Sequence, residues 1–173
     1  VYLEVYGGGF GASVRKNGCD AVDSPLSHCT NTPIEATDMD FEHFRIVGYG
    51  LIPDSCGHGQ HRGGLGFYRR FEILSDNVNF AMYADRFRIA PYGLFGGTDG
   101  RTGHGDVLRD GQHIALKSKD GMTLRKGDIL TIYTAGGGGY GFPAKRRREE
   151  VMHDVKHGYL TADTARAVYG MAP

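Results

Sequence analysis

Residues 53–74 read PDSCGHGQHRGGLGFYRRFEIL and constrain the fold more than any other stretch. Gly57, Gly59, Gly63, Gly64 and Gly66 crowd into its first part, so the backbone there can take positive φ and approach another group closely. The stretch then changes character. From Leu65 to Leu74, apolar and aromatic side chains mix with Arg69, Arg70 and Glu72, the composition of a half-buried strand. A polar, glycine-bent loop therefore feeds directly into a strand. Loops held by a rigid sheet are where binding groups concentrate, and this one offers Asp54, Ser55, His58, His61 and Arg62. The competing reading is a structural turn packed against its own fold or a neighbouring subunit.

Glycine is abundant throughout: 28 of the 173 residues, roughly twice ordinary usage. Because aromatic and β-branched residues separate these glycines, they predict many short strands and tight turns rather than a linker. Strands are expected over residues 1–6, 41–52, 65–74, 78–84, 114–116, 122–124 and 129–133, with the glycines of 136–141 ending the β region. Residues 145–157 carry Val151 and Val155 one turn apart and stop at Gly158, a helix pattern with its C-terminal glycine. Thr161 caps a second short helix through about Tyr169, which Gly170 closes. The expectation is a mainly β fold: one β-rich domain over residues 1–143 with glycine-rich loops, then a tail of two short helices over 144–173. That tail packs on the domain or on a partner. The opening at Val1, already inside an alternating segment, reads as the C-terminal portion of something longer.

Charge narrows the partners. Twenty basic residues balance 20 acidic ones, so no global field attracts nucleic acid or an anionic membrane. Lys145, Arg146, Arg147 and Arg148 form the one basic run, and two glutamates follow it; it reads as a solvated or subunit-facing surface. No apolar run approaches the roughly 20 residues of a membrane span, and no signal-peptide pattern opens the chain. A soluble, cytoplasmic protein is expected. Cys19, Cys29 and Cys56 are odd in number and irregularly spaced, which favours free thiols over a disulfide framework.

Several residues invite chemistry. Cys56, His58 and His61 form a Cys-x-His-x-x-His cluster suited to zinc, with Asp54 or His28 as a fourth ligand. The spacing matches no standard zinc motif and the loop is too glycine-rich to fix ligand geometry alone, so no metal is expected here. Cys29 beside His28, and Cys56 near His58, could suggest a thiol–imidazole dyad, but sequence neighbours diverge and inert thiols are favoured. The glycines of 7–11 lack the Lys-Ser/Thr pair and following helix of a phosphate loop. Asp85, Arg86 and Arg88 could hold an anion, although a structural ion pair is the simpler reading. Residues 19–37 form a long polar segment, held extended by Pro25 and Pro33.

Taken in order, five motifs are informative together. They are Asn31-Thr32-Pro33-Ile34-Glu35, the run from Asp54 to Gly66, Pro91-Tyr92-Gly93-Leu94-Phe95-Gly96-Gly97, Gly136-Gly137-Gly138-Gly139-Tyr140-Gly141-Phe142-Pro143, and the ending from Asp154 to Gly170. The whole chain resembles the C-terminal portion of the hydantoinase B family, which includes B subunits of ATP-dependent hydantoinases, the C-terminal half of 5-oxoprolinase, and subunits of acetone and acetophenone carboxylases. The resemblance implies an ATP-dependent cyclic-amide hydrolase that acts only as a multi-subunit complex. Its alternatives are an ATP-dependent ketone carboxylase and a non-catalytic assembly module. It implies two partners, the remainder of a B-type subunit and an actin-like A-type subunit, with ATP, Mg²⁺ and a divalent metal in those chains and no cofactor bound by this one. The isolated chain is then expected to be inactive on the small-molecule substrate. Asp54, His58 and Arg62 are expected to face the site or the subunit junction. Three departures stand out: the resemblance leads one to expect glycine at Cys56, a less polar segment with proline at Glu42 and His43, and tryptophan at Tyr92.

Overall fold

The computed structural model describes residues 1–23 and 33–171. The first helix, α1 (Ile34–Asp40), starts immediately after Pro33, with Glu35 in its first turn, where an acidic side chain suits the helix dipole. The extended conformation expected through residue 37 is therefore replaced by a helix from residue 34. The Asp38 carboxylate accepts the Ile46 amide at 2.8 Å, tying α1 to the strand that follows. Pro25, His28, Cys29, Asn31 and Thr32 lie outside the described residues.

Seven strands follow among the described residues: β1 (Phe44–Leu51), β2 (Phe67–Ile73), β3 (Val78–Tyr83), β4 (His104–Arg109), β5 (Gln112–Ala115), β6 (Lys119–Leu124) and β7 (Ile129–Tyr133). Five build an antiparallel sheet in the order β1-β2-β7-β4-β5, while β3 and β6 pair separately. The mainly β expectation holds. Strand β4, however, lies between residues 84 and 114, where no strand was expected. Its hairpin with β5 turns at Asp110 and Gly111, both at positive φ (50° and 78°), the geometry of a tight two-residue hairpin turn.

Residues 1–6 keep their alternation but form no strand, and are extended along the sheet. Tyr2 packs edge-on against Phe41 and Phe44, and Tyr6 against Phe67. Between them Glu4 pairs with Arg69, whose side chain is wholly buried in the inward row of β2. A guanidinium among apolar neighbours requires a counter-charge; Glu4 supplies it, and the rings of Tyr6 and Tyr49 lie within 5.6 and 4.7 Å of the cation.

The sheet core gathers Ile46, Phe71, Ile73, Val107, Leu116, Leu124, Leu130 and Ile132. A second core of Cys56, Leu65, Val151, Leu160 and Ala165 lies under the tail helices, α2 (Arg148–Lys156) and α3 (Ala162–Tyr169). Both tail helices match their sequence signals: Gly158 and Gly170 take φ of 72° and 64°, and the Thr161 side chain accepts the Thr164 amide at 3.2 Å.

Candidate functional site

Four glycine-rich stretches that are far apart in sequence meet at one place. Residues 136–139, which leave the end of β7, are the axis. A Cβ on Gly136, Gly137, Gly138 or Gly139 would come within 3.0 Å of the carbonyl oxygens of Ser55, Phe10, Tyr92 and His58, respectively. Gly136 and Gly139 face the 53–66 loop, Gly137 faces residue 10 and Gly138 faces residue 92, and no side chain fits between them. Main-chain hydrogen bonds close the bundle: Gly64 N–H to Phe10 O (2.7 Å), Gly137 N–H to Gly64 O (2.8 Å), Gly57 N–H to Gly137 O (2.7 Å), Thr98 N–H to His58 O (2.7 Å) and Ala12 N–H to Gly138 O (2.9 Å). The Gly9 and Phe10 amides are likewise bonded, to Ala135 and Cys19. The amides of residues 9, 10 and 12, engaged in this way, are not available to cradle a phosphate.

The loop of residues 53–66 is one wall of this bundle, and the tail helices seal its outer side. The Asp54 backbone takes φ 57°. Its carboxylate accepts the Thr161 amide (2.9 Å) and hydroxyl (2.7 Å), and its amide donates to Tyr159 O at 3.0 Å. Asp54 thus fixes the residue that caps α3.

Arg62 is the centre of a buried charge cluster. Its guanidinium donates to both carboxylate oxygens of Asp20, at 2.7 and 3.2 Å, lies 3.4 Å from Asp154, and sits 5.1 Å from the Tyr159 ring centre. Burial works against its charge, but the hydrogen bond to Asp20 and the charges of Asp20 and Asp154 outweigh it and raise its pKa. Arg146 completes the cluster, donating to Asp154 (2.7 Å), Asn17 (2.9 Å) and the Gln60 carbonyl (3.1 Å). Arg146 has no exposed side-chain surface, which corrects the surface reading of the basic run. The reason is geometric: the turn of residues 143–145 carries Arg146 inward while its neighbour Arg147 remains 76% exposed. Nothing in the local sequence marks Asn17, Asp20, Arg146 and Asp154 as partners of Arg62.

The proposed ligands Cys56, His58 and His61 do not converge on a metal. Cys56 is buried, and burial pushes its thiol up to about 12, so it stays a protonated core side chain. The His58 ring packs edge-on against Tyr169 at 5.7 Å, and burial lowers its pKa. His61 is bridged to Tyr140 through main-chain bonds of 3.0 and 2.9 Å. Among the described residues no three His, Cys, Asp or Glu side chains are placed to hold a metal, and His28 lies outside them. Farther along the chain, Arg86 takes φ 61° and its carbonyl accepts the Gly103 amide at 3.0 Å; its backbone shapes a turn.

On the other side of the axis lies a groove of about 1130 Å³. Residues 1–12 form one wall and β3 the other, with Leu130, Ile132 and the axis glycines between them.

These features define the class: a β module with a glycine core, sealed on one side by a charge-clamped helical tail and open on the other. A family model described as Hydantoinase B/oxoprolinase matches residues 1–143, and the chain belongs to that family. The resemblance read from the ordered motifs is borne out. An uncharacterized protein of Methanocaldococcus jannaschii is 39% identical over 168 residues, 97% of this chain and 30% of that protein. Among solved structures, an ATP-dependent caprolactamase from Pseudomonas jessenii matches with a TM-score of 0.77 at 27% identity, over 96% of this chain and 30% of its own. A nucleotide-free acetone carboxylase matches with a TM-score of 0.83 at 19% identity, over 95% and 26%, and shows the shared fold alone. The chain spans less than a third of the length of the curated relatives it matches. No helix among the described residues is long and apolar enough to cross a membrane.

Proposed function

We propose that this chain is the C-terminal part, or a small subunit, of an ATP-dependent cyclic-amide hydrolase of the hydantoinase and 5-oxoprolinase type, active only within a cytoplasmic multi-subunit complex. Membership of the Hydantoinase B/oxoprolinase family over residues 1–143 carries the reading, and the likeness to the caprolactamase supports it. The proposal assigns ATP and Mg²⁺ to an actin-like A-type partner and the divalent metal to the remainder of the B-type subunit.

Within the complex, Asp54, His58 and Arg62 act at the junction by holding the loop in register with the tail. Their engagement inside the chain favours one second reading, a non-catalytic assembly module. The two readings separate on Arg62→Ala. A positioning role next to substrate lowers turnover in complexes that still assemble, whereas an assembly role changes complex mass and leaves turnover per surviving complex unchanged.

The test of the main reading is ADP release by the complex isolated from its source, supplied in turn with 5-oxoproline, hydantoin, caprolactam, and acetone plus bicarbonate. Ring opening matched by ADP release from at least one cyclic amide is expected. A complex that carboxylates the ketone and leaves every amide intact overturns the hydrolase reading in favour of a carboxylase.

A further inference from the structure

His153, in the last turn of α2, and His157, its C-terminal cap, stand four residues apart, so both side chains share one helix face. Their rings lie 4.0 Å apart, centre to centre, with planes 30° from parallel. Both residues are exposed, the His153 side chain by 60%. The His157 Nδ1 lies 2.8 Å from the His153 carbonyl oxygen. A carbonyl can only accept, so Nδ1 carries the hydrogen and the Nε2 lone pair of the neutral ring is left free. A backbone carbonyl on the remote ring nitrogen is a common way to orient a metal-ligating imidazole. The His153 Nδ1 is 3.8 Å from the Asp154 carboxylate, beyond hydrogen-bond range. The Tyr159 ring lies 6.3 and 5.9 Å from the two imidazoles.

The spacing is that of the two histidines in a helical His-Glu-x-x-His metal site. Here Asp154 stands second, and it is not available as a general base. Its side chain is 4% exposed, with Oδ2 2.7 Å from Arg146 and 3.4 Å from Arg62. The ligand pair is therefore present without the base, which argues for binding rather than hydrolysis. The pair also sits at the C-terminal end of α2, where the helix dipole favours a cation. Two imidazole nitrogens suit Zn²⁺, Ni²⁺, Cu²⁺ or Co²⁺ over Mg²⁺ and Ca²⁺, which take oxygen ligands. Among the described residues no third His, Cys, Asp or Glu completes a metal-holding group, so the remaining positions fall to water.

We propose that His153 and His157 form a two-imidazole site for one divalent transition-metal ion, which ties down the end of α2. The test is calorimetric titration of the untagged, chelator-treated chain with Zn²⁺ and, separately, Mg²⁺. One Zn²⁺ per chain is expected, with no detectable Mg²⁺. Loss of a ligand's hydrogen-bond partner alone typically costs about 10–100-fold in metal affinity, so His153→Gln and His157→Gln should each weaken Zn²⁺ binding by about tenfold or more. Both positions are exposed, and the melting temperature of the metal-free chain should not move. His113→Gln removes an exposed imidazole paired with Asp106 and should leave Zn²⁺ binding unchanged. Because only the folded helix brings the ligands together, Zn²⁺ should raise the melting temperature of the native chain and of neither α2 variant. Paramagnetic Co²⁺ should broaden the NMR signals of residues 153–159 before any others. Zn²⁺ binding that survives both α2 substitutions, that is lost in His113→Gln, or that is no tighter than Mg²⁺ binding overturns the proposal. Broadening that begins at Cys56, His58 and His61 overturns it as well.

Discussion

Asp154 is the carboxylate shared by two buried guanidiniums, and Asp154→Ala tests whether the tail is held by charge. The side chains of Arg62, Arg146 and Asp154 are 5%, 0% and 4% exposed. Removing one partner from a buried ion pair typically costs about 3–5 kcal/mol, because the other charge is left uncompensated. Here Arg62 keeps Asp20 at 2.7 Å and Arg146 keeps Glu150 at 3.4 Å, which places the expected loss near the lower figure, about 3 kcal/mol. For a chain of this size that is a fall in melting temperature of roughly 6–12 °C. The assay is thermal unfolding followed by circular dichroism, with Arg147→Ala as control, since its ion pair with Glu150 is at the surface and screened by solvent. A double-mutant cycle between Arg62→Met and Asp154→Ala isolates the pairwise part. A fall of less than about 2 °C for Asp154→Ala would mean that water reaches these charges and that apolar contacts alone seat the tail.

Burial depresses the His58 pKa, so between the ordinary histidine value of about 6.5 and the lower folded value the unfolded chain binds more protons. Stability is then full above about pH 6.5 and falls as the solution is acidified through that window; His58→Gln should flatten this slope in denaturant titrations between pH 7 and 5, and an unchanged slope sinks the assignment. Gly137→Ala places a Cβ against the Phe10 carbonyl in the bundle axis and should abolish soluble folded protein. Gly158→Ala, at φ 72° with nothing within 4 Å, should cost about 1–2 kcal/mol and still fold, so equal tolerance of both changes refutes the axis. Cys19 is exposed and Cys56 buried with its thiol pushed up to about 12, so iodoacetamide should label Cys19 of the native chain well before Cys56 in a peptide-mapping time course.

Strands β1, β2, β3 and β7 and both tail helices were legible because their patterns are local: alternation, turn glycines and a threonine cap. Strand β4 was missed although Asp110 and Gly111 gave a hairpin signal, because His104-Gly105-Asp106 begins it with polar and glycine residues that do not read as a strand. Residues 1–6 show the converse. Their alternation is real, yet it reports which side chains face the sheet and says nothing of whether a neighbouring backbone is present to pair. The 53–66 loop forms one wall of the bundle, but what Asp54 and Arg62 hold there could not be read locally. Their partners are Thr161, Asp20 and Asp154, 107, 42 and 92 positions away, and only the folded bundle sets them side by side.

The bundle also explains why such partners are needed. Glycine loses more conformational freedom on folding than any other residue and buries no side chain in return, so an axis of four glycines contributes little apolar stabilisation. It is held by main-chain hydrogen bonds and by what flanks it: the sheet core at the end of β7 on one side, and the Cys56–Leu65–Val151–Leu160–Ala165 core under the tail on the other. The Arg62–Asp154–Arg146 cluster joins that second core to the loop, and Asp54 joins it to α3. Loosening either joint exposes the loop to water without touching the sheet. Loss of order should therefore begin in residues 53–62 and the tail, and amide exchange in Asp154→Ala should quicken there while β2 and β7 remain protected. Uniform quickening across all strands would instead mean that the two cores melt as one unit and that the axis transmits strain between them.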